Sequence, residues 1–291
     1  MVQLSGFIFA VLAFGAWGFI PLFWKLLSGT SAFAILCHRM TWSAIVLAVL
    51  LLTTGRINSV VNHLRFARNL RLLACTSLLI GGNWFVFVWA VNTGRTLDAS
   101  LGYFIAPLLN VVLGRLSLRE RLGKTQTLSV CLVALGVGNL TFVTQAVPFT
   151  ALFLAVSFSF YGLLRKTAAV GSLEGLFVEC LFLFLPAVAY LLWNEFDGNA
   201  GFLAMPFKEQ ALLALAGPIT VIPLYWYTKG ARRISLTSLG LLQYIAPSLQ
   251  FLVAVLLLGE PMDSGRLYSF IVIWSGLVLF SAGSTFERWR N

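Results

Sequence analysis

Residues 105–120 read IAPLLNVVLGRLSLRE, and residues 245–260 read IAPSLQFLVAVLLLGE. The two stretches align without a gap at an offset of 140, which pairs Pro107 with Pro247 and Glu120 with Glu260. The same offset carries Gly136 to Gly276 and sets the aromatic run NWFVFVW (83–89) opposite PLYWYTK (223–229). Nearer the start of each copy, Trp17-Gly18 answers Tyr161-Gly162 at an offset of 144, so a short insertion or deletion separates the copies. The chain reads as one unit written twice, residues 1–145 and then 146–291.

What the unit is made of follows from its surroundings. Hydrophobic residues make up 59% of the chain and charged residues 10%, with a mean hydropathy of +0.90. Ordinary soluble domains carry roughly 25% charged residues. Continuous apolar runs of about 20 residues are membrane-spanning helices, and they lack the apolar–polar alternation of a β-barrel. Spans are expected near 5–27, 33–53, 70–92, 97–118 and 125–143, then near 148–167, 173–193, 209–229, 235–258 and 266–284. The first has no basic residue before it and no clear small-residue cleavage site, so it is expected to be a retained helix. Cys37, Cys75, Cys131 and Cys180 all fall within spans, without metal-ligand spacing, and read as small core residues.

An odd number of spans per copy forces the second copy into the membrane upside down. The expected fold is an all-α integral membrane protein, ten transmembrane helices built as two inverted five-helix repeats, a common plan of secondary transporters. The net charge of +10 follows the same topology. One set of connectors and helix ends collects Arg56, Arg65, Arg68 and Arg71, then Arg115, Arg119, Arg121 and Lys124. Arg165, Lys166, Lys229, Arg232, Arg233, Arg288 and Arg290 join that side, whereas the other holds Lys25, Arg95, Lys208 and Arg266 diluted by acids. The basic side is expected to be cytoplasmic, with both termini inside. The excess charge is a topology signal, and nucleic acid is not an expected partner.

Charged groups inside spans cost about 2.5–3.5 kcal/mol on insertion scales and turn toward the bundle interior. LCHRMTW (36–42) places Arg39 well inside the second span, and the one acid of comparable depth, Glu179, lies 140 residues later. Inversion puts Arg39 in the outer half and Glu179 in the inner half, each about 10 Å below its own surface at 1.5 Å per residue. In a core about 30 Å thick they are two ends of one cavity rather than a ready-made salt bridge. Arg39 is read either as a structural residue bonded to carbonyls or as a contact for an anionic or carbonyl group of substrate. Glu179 is read either as a proton-coupling carboxylate or as a counter-ion, because burial favours its neutral form and a nearby cation its charged form. His38 points about 100° away from Arg39 and is read as a core group.

Trp17, Trp42, Asn83, Trp84, Tyr103, Trp226, Gln243 and Tyr244 are candidate lining for a small-molecule pocket of aromatic walls and few polar groups. Bundle packing is the competing reading for each aromatic. Pro107 and Pro247 interrupt matched helices and are expected to kink them, since proline removes a backbone hydrogen bond. Glu120 and Glu260 read as end charges or gate locks, not as catalytic groups.

The stretch LIGGNWFVFVWAVNTGRTLDASLGYFIAPLLNVVLG (79–114), together with SLGLLQYIAP (238–247), the GE at 259–260 and ILCHRMTW (35–42), resembles the EamA family of the drug/metabolite transporter superfamily. The resemblance runs from the first span to the last. It implies a ten-helix permease of the bacterial inner membrane that exports small metabolites or drugs.

The expected function is secondary transport by alternating access, the export of a small amphipathic solute driven by protons, with a lipid-linked-substrate flippase as the alternative. An enzyme is not expected: the chain has two histidines, no H-E-x-x-H helix and no paired carboxylates. No cofactor and no metal site are expected. The expected partners are a small-molecule substrate and membrane lipids, and a homodimer stays open.

Overall fold

The computed structural model describes residues 2–64, 66–92, 96–119, 123–144, 149–197, 201–257 and 264–290. Among them every regular element is helical: α1 (Val2–Lys25), α2 (Ala32–Thr53), α3 (Ile57–Leu64), α4 (Ala67–Asn92), α5 (Thr96–Leu118) and α6 (Lys124–Thr144) in the first half. The second half holds α7 (Phe149–Thr167), α8 (Ser172–Phe196), α9 (Phe207–Ala231), α10 (Leu236–Leu242), α11 (Ile245–Leu256) and α12 (Ser264–Arg290). Glu120 and Glu260 lie outside the described residues.

Eight segments among the described residues are long and apolar enough to cross a membrane. Among the described residues α5 and α12 contribute two further apolar stretches, Gly102–Leu118 and Leu267–Gly276. Large apolar side chains such as Leu78, Leu135, Phe142 and Leu185 are exposed. A belt of this kind is stable against lipid tails and not against water. Cys37 and Cys180 are buried, but Cys75 and Cys131 stand exposed on α4 and α6, which corrects the reading of all four cysteines as core residues.

The ends of the helices are set by local chemistry. Ser31 caps α2 by accepting from the Ala34 N–H at 3.2 Å, and Ser235 caps α10 by accepting from Ser238 N–H at 3.0 Å. The expected ninth span is broken into α10 and α11. Pro247 has no N–H to offer the Gln243 carbonyl, and its ring crowds that carbonyl. Ala246 N–H bonds to Gln243 O instead, at 3.2 Å, and Tyr244 N–H to Leu241 O at 3.3 Å, which tightens the chain at the join. At the matched position α5 runs through Pro107 as one helix. The short α3 was not foreseen: eight residues, about half of them polar, are too few to register as a span.

In the packing α2 lies against α8 and α9, α1 against α9 and α11, α4 against α7 and α8, α5 against α7 and α10, and α6 against α12. The α6–α12 contact is closest at two glycines. A Cβ at Gly136 would lie 3.0 Å from Ser269 O and 2.7 Å from Ile273 Cγ1. A Cβ at Gly276 would lie 3.0 Å from Ser129 O and 2.8 Å from Val133 Cγ2. The two environments exchange under the 140-residue offset, since 129, 133 and 136 become 269, 273 and 276.

One face of the bundle gathers the cations. Arg56, after α2, pairs with Glu174 at the start of α8 at 2.7 Å. Lys166, at the end of α7, donates to Ile234 O at 2.6 Å, and Arg165 Nη2 donates to Ser172 O at 3.0 Å. We refer to this as the basic face, and to its opposite as the far face.

Candidate functional site

Arg39 stands about two turns past the far-face end of α2 and is 4% exposed. Its Nε donates to Thr220 Oγ1 of α9 at 3.1 Å. The guanidinium lies over the Trp24 ring at 4.7 Å and over the Trp84 ring at 4.5 Å. Trp24 comes from α1 and Trp84 from α4, so three helices besides α2 converge on one cation. Among the described residues no carboxylate ion-pairs with it. Weakly hydrated and planar, a guanidinium can be held this way by ring faces, each contact contributing about 2 kcal/mol when water is excluded. Trp84 is 8% exposed, whereas Trp89, one and a half turns on, is 36% exposed and faces outward.

Asn83 adjoins Trp84 and is fully buried. Its Nδ2 donates to Leu154 O and to Ser157 Oγ of α7, both at 2.9 Å, and its Oδ1 accepts from the Tyr103 hydroxyl of α5 at 3.2 Å. The amide thereby ties α4, α5 and α7 together. Tyr103 also lies within electrostatic reach of Arg39. Below this pair the centre is filled by rings. Trp17 sits 5.7 Å from Phe14, 5.8 Å from Phe158 and 5.6 Å from Tyr227, and Tyr161 stacks on Tyr227 at 6.2 Å.

Glu179 belongs to the other end. It lies about two turns in from the basic-face end of α8 and is 2% exposed. Thr76 of α4 donates to its Oε1 at 2.6 Å, and Tyr161 of α7 donates to its Oε2 at 3.3 Å. Arg165 Nε approaches Oε1 at 3.5 Å, with both side chains buried. Among the described residues Arg165 Nη1 has no hydrogen-bond partner. There is little room beside it: a Cβ at Gly175 would fall 2.0 Å from that nitrogen.

The remaining candidates are distributed around these two centres. Trp42 is half-buried, its ring 6.1 Å from Phe202, and its indole N–H is buried without a partner among the described residues. His38 packs beside it, 5.0 Å from the same phenylalanine. Gln243, at the join of α10 and α11, accepts from Asn110 Nδ2 at 3.0 Å, which leaves its own Nε2 and the Asn110 Oδ1 buried and unpaired. Tyr244 donates to Phe104 O at 2.9 Å, a contact between residues that the 140-residue offset makes equivalent. Trp226 is half-buried against the main core cluster. Ser159 donates to Ala106 O at 3.0 Å, beside Pro107.

Arg39, Trp84, Tyr103 and Asn83 therefore form one neighbourhood near the far face. Glu179 forms a second near the basic face; Trp42 lies one turn on from Arg39 along α2, against Gly217 of α9, and Gln243 stands apart from both. Sequence reasoning did not single out Trp24, Thr220, Thr76 or Arg165 as site residues. Arg165 looked like one more end-of-helix cation, and its spacing from Glu179 carries no signature.

Comparison with known proteins bears on what this arrangement is for. Residues 4–142 match the model of the EamA-like transporter family. Over 277 residues the chain is 46% identical to an uncharacterized transporter of Vibrio cholerae, covering 95% of this chain and 92% of the relative. It is 37% identical over 288 residues to protein RarD of Escherichia coli K12, covering 99% and 97%. It is also 40% identical over 279 residues to protein RarD of Streptomyces exfoliatus, covering 96% and 89%. A solved crystal structure superposes with a TM-score of 0.72 over 96% of both chains at 22% identity, which bears on the fold alone.

Proposed function

Because the chain belongs to the EamA-like transporter family, in its RarD branch of the drug/metabolite transporter superfamily, we propose that this membrane transporter exports a small solute carrying an anionic or strongly polar group. Transport is by alternating access, coupled to protons. Arg39 is the observation that carries the proposal. It is a buried cation fixed by two indoles and a hydroxyl, with no ion-paired carboxylate among the described residues. A structural arginine in an apolar bundle is ordinarily matched by an acid or by backbone carbonyls, whereas the hydrogen-bond partner of Arg39 among the described residues is the Thr220 hydroxyl. One held by rings keeps its charge available to a ligand.

The wider reading is of ten transmembrane helices in two inverted halves, 1–145 and 146–291, in the bacterial inner membrane with the basic face cytoplasmic. The exchange of the Gly136 and Gly276 environments supports it. So does the end of the family match at residue 142. At 1.5 Å per residue α5 is about 35 Å long and α12 about 40 Å, each enough for a hydrocarbon core of about 30 Å.

In this mechanism ionised Glu179 and Arg165 hold α7 and α8 together and close the basic face. Protonated Glu179 no longer pairs with Arg165. Because Arg165 lies within a turn of the helix end, its head can then move out to water along its aliphatic stem. Solute reaches Arg39 through the opened end and leaves toward the far face once Glu179 has released to the basic face the proton it took up from the far side, so that a proton moves in as solute moves out. Rings and amides at Trp17, Trp84, Tyr103 and Asn83 shape the passage between, and the join before Pro247 lets α10 and α11 move separately.

The test is flux in sealed proteoliposomes under an imposed pH gradient, with a panel of small anionic and amphipathic solutes. The expected result is pH-gradient-driven movement of at least one solute, lost in Arg39→Ala while folded protein is retained. Absence of solute and proton movement across the panel, or normal flux by Arg39→Ala, overturns the reading.

A further inference from the structure

At the basic face a cavity of about 150 Å³ opens between the end of α2, the start of α8 and the end of α9. Four cations line it, Arg56, Lys229, Arg232 and Arg233. They are not positioned by a matching set of carboxylates. Lys229 Nζ rests over the Phe9 and Tyr225 rings at 5.1 and 4.6 Å, and the Arg233 guanidinium lies over Phe9 at 5.2 Å. Arg232 Nη1 donates to Val170 O. Among the described residues the one acid paired there is Glu174, whose Oε1 is taken by Arg56.

The backbone adds to the positive field. Ser172 and Leu173, the first residues of α8, also line the cavity. Gly171 is the N-cap of that helix and supplies no side-chain cap. The N-terminal end of a 25-residue helix therefore lies beside the cavity, with the Glu174 carboxylate in its first turn. Burial first, and then the Arg165 cation, lower the proton affinity of Arg232 from its ordinary value, while Glu174 acts the other way.

We infer that this cavity is a binding site for a phosphate-class oxyanion, held by Arg56, Lys229, Arg232 and Arg233 together with the N-terminus of α8. One carboxylate against four cations leaves an excess that a monovalent carboxylate ligand would only partly neutralise. A tetrahedral, multiply charged group can instead accept from several donors at once. With water taking about 30 Å³ in the liquid, the cavity has room for such a group and part of its hydration shell. The phosphate can belong to the headgroup of an anionic lipid, since basic pockets between helices at a cytoplasmic surface suit such headgroups. It can equally be a free phosphate in solution. The site is separate from Arg39, so it stands or falls independently of the transport reading.

The test uses the full chain purified in neutral detergent. Inorganic pyrophosphate is titrated by calorimetry against chloride at equal ionic strength, with parent protein, Lys229→Gln, Arg232→Gln and Lys229→Arg. Native mass spectra are recorded in parallel after exchange from vesicles of phosphatidylcholine with or without phosphatidylglycerol. The expected result is saturable pyrophosphate binding, weakened about tenfold or more in each Gln variant through loss of one charge-assisted contact and largely kept in Lys229→Arg. Phosphatidylglycerol retained by the parent, displaced by pyrophosphate and lost from Lys229→Gln identifies a lipid headgroup. Pyrophosphate binding without retained lipid identifies a free anion. If the parent prefers neither pyrophosphate over chloride nor phosphatidylglycerol over phosphatidylcholine, the site does not exist. Unchanged affinity in folded Lys229→Gln and Arg232→Gln would overturn the assignment equally.

Discussion

Glu179→Gln removes one charge and almost no volume, so it isolates the ion pair with Arg165. The amide oxygen can still accept from Thr76 and its NH2 can meet the Tyr161 hydroxyl, so the hydrogen bonds now at 2.6 and 3.3 Å have successors. What is lost is the carboxylate facing Arg165, which is 1% exposed. Breaking a buried pair by removing one member costs about 3–5 kcal/mol. The lower end applies, because Arg165 Nη2 keeps the Gly171 and Ser172 carbonyls at 3.4 and 3.0 Å. At about 2 °C per kcal/mol for a chain of this size, a loss of about 3 kcal/mol lowers Tm by about 6 °C. Arg165→Met, which strands the carboxylate, costs a similar amount. The double variant buries no charge at all, and replacing both members is close to neutral. It is expected within about 1 kcal/mol of the parent, where independent effects would give about 6. The nine tryptophans make intrinsic fluorescence on heating the natural assay. A double variant that falls as far as the two single losses together would refute the coupling, and with it the proposed lock at the basic face.

Arg39→Lys keeps the charge but loses the flat face held between Trp24 and Trp84. A contact worth about 2 kcal/mol corresponds to about a thirtyfold rise in the KM of whichever solute is carried, and an unchanged KM would separate Arg39 from substrate. Gly217→Ala should destabilise by about 1–3 kcal/mol, because its Cβ would come within 2.7–2.8 Å of the Trp42 backbone and force α2 from α9. Gly138→Ala, with nothing within 4 Å, should instead gain up to about 1 kcal/mol from helix propensity; both are read from Tm, and equal shifts would contradict the packing. Asn83→Ala strands partners on α5 and α7 and should cost about 1–3 kcal/mol, with loss of the Tm difference as the contrary result.

Much of this architecture could be read from the sequence because a lipid-facing helix has one dominant requirement, a long apolar run. The expected spans fall on the helices found, to within a few residues. The features that escaped depend on short range or on folding back. The break ahead of Pro247 was signalled by the proline, but its place at Gln243–Tyr244 follows from the carbonyl four residues upstream. Cys75 and Cys131 were misread because residence in a span does not say which side of the helix meets lipid. The places of Arg39 and Glu179, about two turns in from the starts of α2 and α8, were legible from the apolar runs around them. Their partners were not, since Arg165 reaches Glu179 only because the turn at 168–171 brings the end of α7 beside α8. Trp24 lies at the very end of α1, where tryptophan ordinarily marks an interface, and nothing local shows that it also covers a guanidinium.

Arg39 and Glu179 are better understood together than singly. They occupy equivalent positions 140 residues apart on α2 and α8, which pack on each other. Each is fastened by a threonine to a helix of the other half, Arg39 to Thr220 of α9 and Glu179 to Thr76 of α4. In the proposed cycle the backbone plan at the two ends is alike, while the chemistry is opposite. If both ends carried the same group, one ligand would loosen both and the pathway would leak. A cation near the far face and a carboxylate near the basic face let the solute act on one fastening and the proton on the other. The α2–α8 contact then passes the consequence between them. In that reading the charge difference between two related positions is what makes a near-symmetric bundle directional, and Glu179→Gln should leave solute binding at Arg39 intact while abolishing its dependence on the pH gradient.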